Sequence, residues 1–115
     1  PGSLGLIFPV KDGNTTHTAA LFGGTILIPT RITDEGLEQY RDSIERFSVL
    51  SREMQVDVEI QNHPLYDGMQ EKLSQLKIRG AGALHPFVVR EAAYQSFLDV
   101  MVECIRAQQA RRAVH

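Results

Sequence analysis

The sequence has one cysteine, Cys104, no tryptophan and four histidines in 115 residues. A single cysteine excludes an internal disulfide and a cysteine-built zinc cage, and a free thiol is compatible with a reducing compartment such as the cytoplasm. There is no basic excess: 12 Lys and Arg stand against 14 Asp and Glu, a formal net charge of −2. The electrostatic footprint of a nucleic-acid binder is therefore missing. The longest apolar runs, residues 19–22 and 25–29, fall far short of the ~20 residues that cross a bilayer, so no membrane partner is expected. No targeting segment is visible and the sequence opens on Pro1-Gly2-Ser3, which leaves localisation open. What remains is an ordinary globular composition, 43% apolar and 23% charged. Its length suits one small domain over residues 1–115 with a modest core.

Hydrophobic periodicity gives the order strand, strand, helix, strand, helix, helix. Residues 3–10 read as a strand in which Leu4, Leu6 and Phe8 alternate with smaller residues, and Ile7 adds a second apolar face. Lys11-Asp12-Gly13-Asn14 is a turn, and residues 15–22 return as the second strand of an antiparallel hairpin. Gly23-Gly24 ends it, and residues 25–29 are a short apolar run, strand or loop. Leu37, Tyr40, Ile44, Phe47, Leu50 and Met54 then recur at spacings of three and four, the stripe of an amphipathic helix. Thr33 caps it, with Asp34 and Glu35 in the first turn and Arg52 near the other end. Val56, Val58 and Ile60 alternate with Asp57, Glu59 and Gln61, a half-buried strand that runs into Asn62-His63-Pro64. Asp67 is a cap for a second helix carrying Met69, Leu73 and Leu76. Beyond the flexible connection Gly80-Ala81-Gly82-Ala83, a last helix is expected over residues 88–111, with Ala93, Phe97, Val100, Met101, Cys104 and Ile105 facing inward. Helices with one apolar face each must lie on a sheet. Three or four strands make a small sheet, and nothing in the chain is available to cover its other face.

His63 is the residue with the strongest chemical signal. Its strand ends there, because Pro64 forbids continuation, and the mouth of a sheet is where open α/β layers place ligands. It reads either as a metal ligand or as a turn histidine bonded to nearby backbone. Asp67 reads as a carboxylate supporting such a ligand or as a helix cap, and Tyr66 as a pocket wall or a packing residue. His17 in mid-strand, His85 before Pro86 and His115 at the terminus are weaker candidates. No His-X-His pair and no His-Glu-X-X-His helix is present. Gly23-Gly24-Thr25 lacks the spacing of a phosphate loop and reads as a tight turn. Ser3 has no His–carboxylate partner pattern around it, so a nucleophilic triad has no support, and no catalytic residue is assigned.

Taken together, these segments resemble the C-terminal half of the metallo-β-lactamase fold, a superfamily of mostly zinc hydrolases. Pro1-Gly2-Ser3-Leu4-Gly5-Leu6-Ile7 is similar to the segment that follows a metal-binding histidine in that family. Leu21-Phe22-Gly23-Gly24-Thr25 is similar to its strand and following turn. Asn62-His63-Pro64 is similar to the strand end that delivers the last metal-binding histidine. Leu65-Tyr66-Asp67-Gly68 and Pro86-Phe87-Val88-Val89 with the long helix fit one branch. The resemblance implies an α/β fold: half of a four-layer αββα sandwich, with one small mixed sheet covered by helices. It implies zinc in the complete parent protein, held in part by His63, and metal-assisted hydrolysis of a small-molecule substrate. Two departures stand out. Gly24 occupies the place of a metal-bridging aspartate that many members carry, and the His-X-His-X-Asp-His cluster that supplies most ligands is absent. The isolated chain is therefore expected to bind zinc weakly or not at all and to be inactive. The expected partner is a missing N-terminal half or a second copy of the chain. The alternative is a non-catalytic binding or homodimerising module derived from the same fold.

Overall fold

Two runs of alternating side chains separated by Gly13-Asn14 fold back on each other. In the computed structural model, which describes residues 4–24, 27–61 and 68–114, they form β1 (Gly5–Asp12) and β2 (Thr15–Phe22). They pair antiparallel from Gly5↔Phe22 to Asp12↔Thr15. Gly13 has φ +61 at the first central position of a two-residue hairpin turn, where a positive φ is met most cheaply by glycine. The third strand, β3 (Val58–Ile60), lies parallel to β2 with Ala19↔Val58 and Leu21↔Ile60. Parallel neighbours need a crossover, and the helix α1 (Asp34–Glu53) supplies it. A single 3₁₀ turn, Pro29–Arg31, precedes α1. Two further helices, α2 (Met69–Lys77) and α3 (Glu91–Ala113), complete the order. The result is an α/β arrangement of a three-stranded mixed sheet, β1-β2-β3, and three helices. Among the described residues no helix is long and apolar enough to cross a membrane.

The core lies between one sheet face and the pair α1 and α3. Ala20 from the sheet meets Leu37, Ile44 and Phe47 of α1 and Tyr94, Leu98, Val102 and Ile105 of α3. Each large apolar side chain buried there contributes ~1.5–3 kcal/mol. Phe22 sets its ring edge-on to Tyr40 and Phe47, at 6.4 and 5.1 Å between centroids. Side chains alternate along strands, so Leu6, Phe8, Ala19, Leu21, Val58 and Ile60 belong to the opposite face. On that face Leu6 is 53% exposed, but Ala19 and Val58 are buried, so it is covered in part, contrary to expectation.

Helix α1 takes the expected start: the Thr33 Oγ1 accepts the Gly36 N–H at 3.0 Å. It ends on Gln55 at φ +57, whose left-handed turn lets Val56 N–H reach the Ser51 carbonyl at 3.0 Å. Leu50 and Met54, however, are about half exposed rather than buried. Helix α3 departs more. It starts at Glu91, not at 88, because Val88 bridges to Val58 and the N–H groups of Val89 and Arg90 both donate to the Asp57 carbonyl. Arg90 turns the chain with φ 72. The face of α3 that packs inward carries Tyr94, Leu98, Val102 and Ile105. Of the expected inward set only Ile105 is fully buried; Phe97 and Met101 are partly buried, while Ala93, Val100 and Cys104 are exposed.

Candidate functional site

The sheet has two chemically distinct ends. At one, β2 and β3 both run out toward Gly23-Gly24 and Gln61. Gly23 belongs to a close approach and not to a phosphate cradle, since a Cβ there would sit 2.5 Å from the Leu4 carbonyl oxygen. On β3 and just past it, Glu59 and Gln61 turn their side chains toward the helices and are buried. The Gln61 Nε2 donates to the Glu59 Oε1 at 2.8 Å, and the Gln61 Oε1 has no partner among the described residues. Burial first, and the nearby Glu59 carboxylate second, push the Tyr94 hydroxyl up. Burial alone pushes Tyr40 up to about 12. His63 follows Gln61 by two positions in the sequence; His63, Tyr66 and Asp67 all lie outside the described residues, as do Thr25 and His115.

The other end, beside the hairpin turn, collects charged groups that sequence reasoning did not assemble. His17 Nδ1 lies 2.6 Å from Asp57 Oδ2, and Asp57 Oδ1 accepts the Thr18 N–H at 3.0 Å. Arg79 donates to both oxygens of Asp12, at 3.0 and 2.6 Å, and through Nε to the Ala83 carbonyl at 2.9 Å. Those donated hydrogen bonds hold the Asp12 carboxyl below its usual 3.8 and raise Arg79 in return. His85 Nδ1 accepts the Phe87 N–H at 3.2 Å, and Lys72 sits 5.3 Å above the Phe87 ring. Together these ties lay the segment between α2 and α3 against the sheet. In them His17 is held by Asp57, and His85 accepts from the Phe87 N–H. The pairing of His17 with Asp57 spans 40 positions and has no local sequence signal.

Among the described residues no group of three or more His, Cys, Asp or Glu side chains is placed to hold a metal ion. What the described residues do form is a groove of about 1000 Å³ beside β1, between the sheet edge and α1. Its lining includes Ile7, Phe22, Phe47, Leu50 and Met54, with Arg46 among its charged members.

The chain has a fold shared with metallo-β-lactamases, consistent with the C-terminal half of that fold. The chain is similar to the crystal structure of BJP-1, a subclass B3 metallo-β-lactamase of Bradyrhizobium japonicum, with a TM-score of 0.62 and 22% sequence identity. The likeness covers 95% of this chain and 41% of that protein. At that identity what is shared is the fold. No family model matches the sequence, and no curated protein matches it. The zinc associated with metallo-β-lactamases does not find a ligand set among the described residues, so no reaction step is assigned to them.

Proposed function

We propose that the chain is the C-terminal part of a metal-dependent, zinc-using hydrolase of the metallo-β-lactamase superfamily, and that it is inactive by itself. The observation that carries this reading is the fold likeness over 95% of the chain and 41% of a metallo-β-lactamase, with Asn62-His63-Pro64 following the sheet's parallel strand in sequence after one residue, Gln61. In the complete protein the sheet face bearing Leu6, Phe8, Leu21 and Ile60 packs on a second sheet, which gives the four-layer αββα sandwich over residues 1–115 and their complement. In this reading His63 is the metal ligand this chain contributes, and Asp67 and Tyr66 support that ligand or line the pocket. Catalytic zinc sites use three protein ligands and an open position for water, and the remaining ligands come from the complementary part. The metal, when bound there, supplies an activated water for hydrolysis of a small-molecule substrate.

Zinc content after metal-supplemented purification tests the reading. The isolated chain is expected to carry far less than one zinc per molecule. In the complete protein, His63→Ala is expected to lower metal affinity about 10-fold or more. Stoichiometric, tight zinc in a monomer of this chain alone, or an unchanged affinity in the variant, overturns it. A second reading, a non-catalytic binding or homodimerising module, is favoured by the exposure of Leu4 (74%) and Leu6 (53%). It requires a discrete dimer in light scattering and a complete protein that holds no metal.

A further inference from the structure

After β3 the chain leaves the sheet, and it comes back beside the start of the same strand. Gln61, just past β3, is buried, and Val88 bridges to Val58. The part of this excursion that the structure describes, residues 68–87, adds nothing to the core. No residue of α2 is buried. Neither the buried cluster around Leu37, Ile44 and Leu98 nor the half-buried side chains packed on it include any of residues 68–87. Leu73, Ile78 and Leu84 are instead 43%, 84% and 50% exposed.

The hydrogen bonds of residues 68–87 are nearly all their own. The Lys72 N–H donates to the Gly68 carbonyl, the Ala83 N–H to the Gly80 carbonyl and Arg79 Nε to the Ala83 carbonyl. The Lys72 ammonium lies over the Phe87 ring of the same segment. At the return, the Val88 N–H meets the His85 carbonyl. Apart from that turn, one pair alone bonds the segment to the rest of the molecule among the described residues. Arg79 gives both terminal nitrogens to the Asp12 carboxylate of β1.

Glycines in left-handed conformations flank α2. Gly68 precedes it with φ 65, and Gly82 stands beyond it with φ 79. A Cβ at either would meet nothing within 4 Å. These glycines therefore serve the path of the backbone and not a close packing, and such positions absorb rotation at little cost. A segment with few buried contacts and its own hydrogen bonds opens at lower free energy than the body that carries it.

We infer that residues 68–87 form a hinged arm, which opens as one unit from a body that stays folded, and that the Arg79–Asp12 pair is its latch. The two-pronged, charge-assisted bond fixes where the arm docks. Because the pair is partly exposed, salt weakens it. Opening frees the Asp12 carboxylate beside the hairpin turn, so a cation that occupies Asp12 shifts the arm outward. The inference is independent of the hydrolase reading, since neither arm nor latch involves a metal or His63.

Amide hydrogen exchange in rising, sub-denaturing urea is the experiment, on the native chain, Asp12→Asn and Ile105→Val. In the native chain the amides of residues 72–77 are expected to share one opening. They should exchange about tenfold or more faster than Leu98 and Val102, relative to their unfolded rates, and respond less to urea. Asp12→Asn is expected to speed them about threefold or more. Ile105→Val weakens the body by one buried methyl. It should speed Leu98 and leave residues 72–77 at their native rates, because opening the arm breaks no contact of Ile105. Should Asp12→Asn fail to fold, raising salt from about 0.05 to about 0.5 M must speed residues 72–77 of the native chain instead. The inference is overturned if α2 exchanges as slowly as α3 with the same urea response, or shows no protection at all. It is equally overturned if Ile105→Val speeds α2 as much as Leu98, or if α2 ignores the loss of the latch.

Discussion

The carboxylate of Asp57 takes the Thr18 N–H on one oxygen and the His17 ring on the other, while its backbone carbonyl takes Val89 and Arg90. One residue thus joins β2, the entry to β3 and the approach to α3, its side chain holding β2 and its backbone carbonyl the approach to α3. Asp12 and Arg79 make the parallel tie from β1 to the end of α2, through two hydrogen bonds. Because the folded state lowers the Asp12 pKa, chiefly through the Arg79 hydrogen bonds, the pair stabilises the fold at pH values above the ordinary carboxylate range. That contribution fades as pH falls through the folded value, below 3.8. The difference in Tm between the native chain and Asp12→Asn is therefore expected to hold steady from about pH 7 to 5 and to shrink below about pH 4. Raised salt is expected to reduce it at neutral pH, since the pair is partly exposed. A Tm difference that grows on acidification would contradict the assignment.

Helix α3 carries apolar side chains on more than one face, and that is where pattern reading and packing part. Leu98 is buried and Val100, two positions on, is 61% exposed. Leu98→Asp is expected to cost several kcal/mol, by placing an unpaired charge in the core. Val100→Asp should stay within about 0.5 kcal/mol of the native chain. Urea denaturation of the two variants decides it; equal losses would mean that both faces of α3 are packed. The contrast with α1 shows what sequence conveys. Leu37, Ile44 and Phe47 make one stripe between polar faces, and Thr33 caps it with a local hydrogen bond, so the helix and most of its buried side are readable from neighbours in the chain. In α3, Ala93, Phe97, Val100 and Cys104 form a stripe as regular as Tyr94, Leu98, Val102 and Ile105, and only packing against α1 and the sheet selects the second. Its start is likewise set from afar, by the Val58–Val88 bridge. The hairpin, with Gly13 at its turn, was legible for the same local reason as α1. For the site, His63 stood out because a strand ends in proline beside it, whereas Asp57 did not, because its partners Thr18 and His17 become neighbours only when β2 pairs with β3.

Taken whole, the chain exposes more surface than a finished globule of its mass. Its accessible area is 7764 Å² for 12.9 kDa, against about 6300 Å² expected for a compact monomer. Its radius of gyration is 15.9 Å, against about 13.4 Å for a domain of this length. The excess area, about 1500 Å², exceeds what one partner buries in a standard protein interface, ~800 Å². Exposed Leu6 belongs by strand alternation to the sheet face away from the helices, whereas exposed Leu4 also lines the groove of Leu50 and Met54. Apolar area of this kind drives association at ~25 cal/mol per Å² removed from water, so the isolated chain is expected to show an apparent mass that rises with concentration in light scattering. Changing Leu4 and Leu6 together to threonine removes apolar area without opening a cavity. The double variant is expected to stay nearer the monomer mass at the same concentrations while its unfolding free energy shifts by less than about 1 kcal/mol. β1 keeps its pairing there, because threonine suits a strand. If the variant loses several kcal/mol instead, those leucines are packed within the chain. If its association is unchanged, the outer sheet face is not the surface through which the isolated chain assembles.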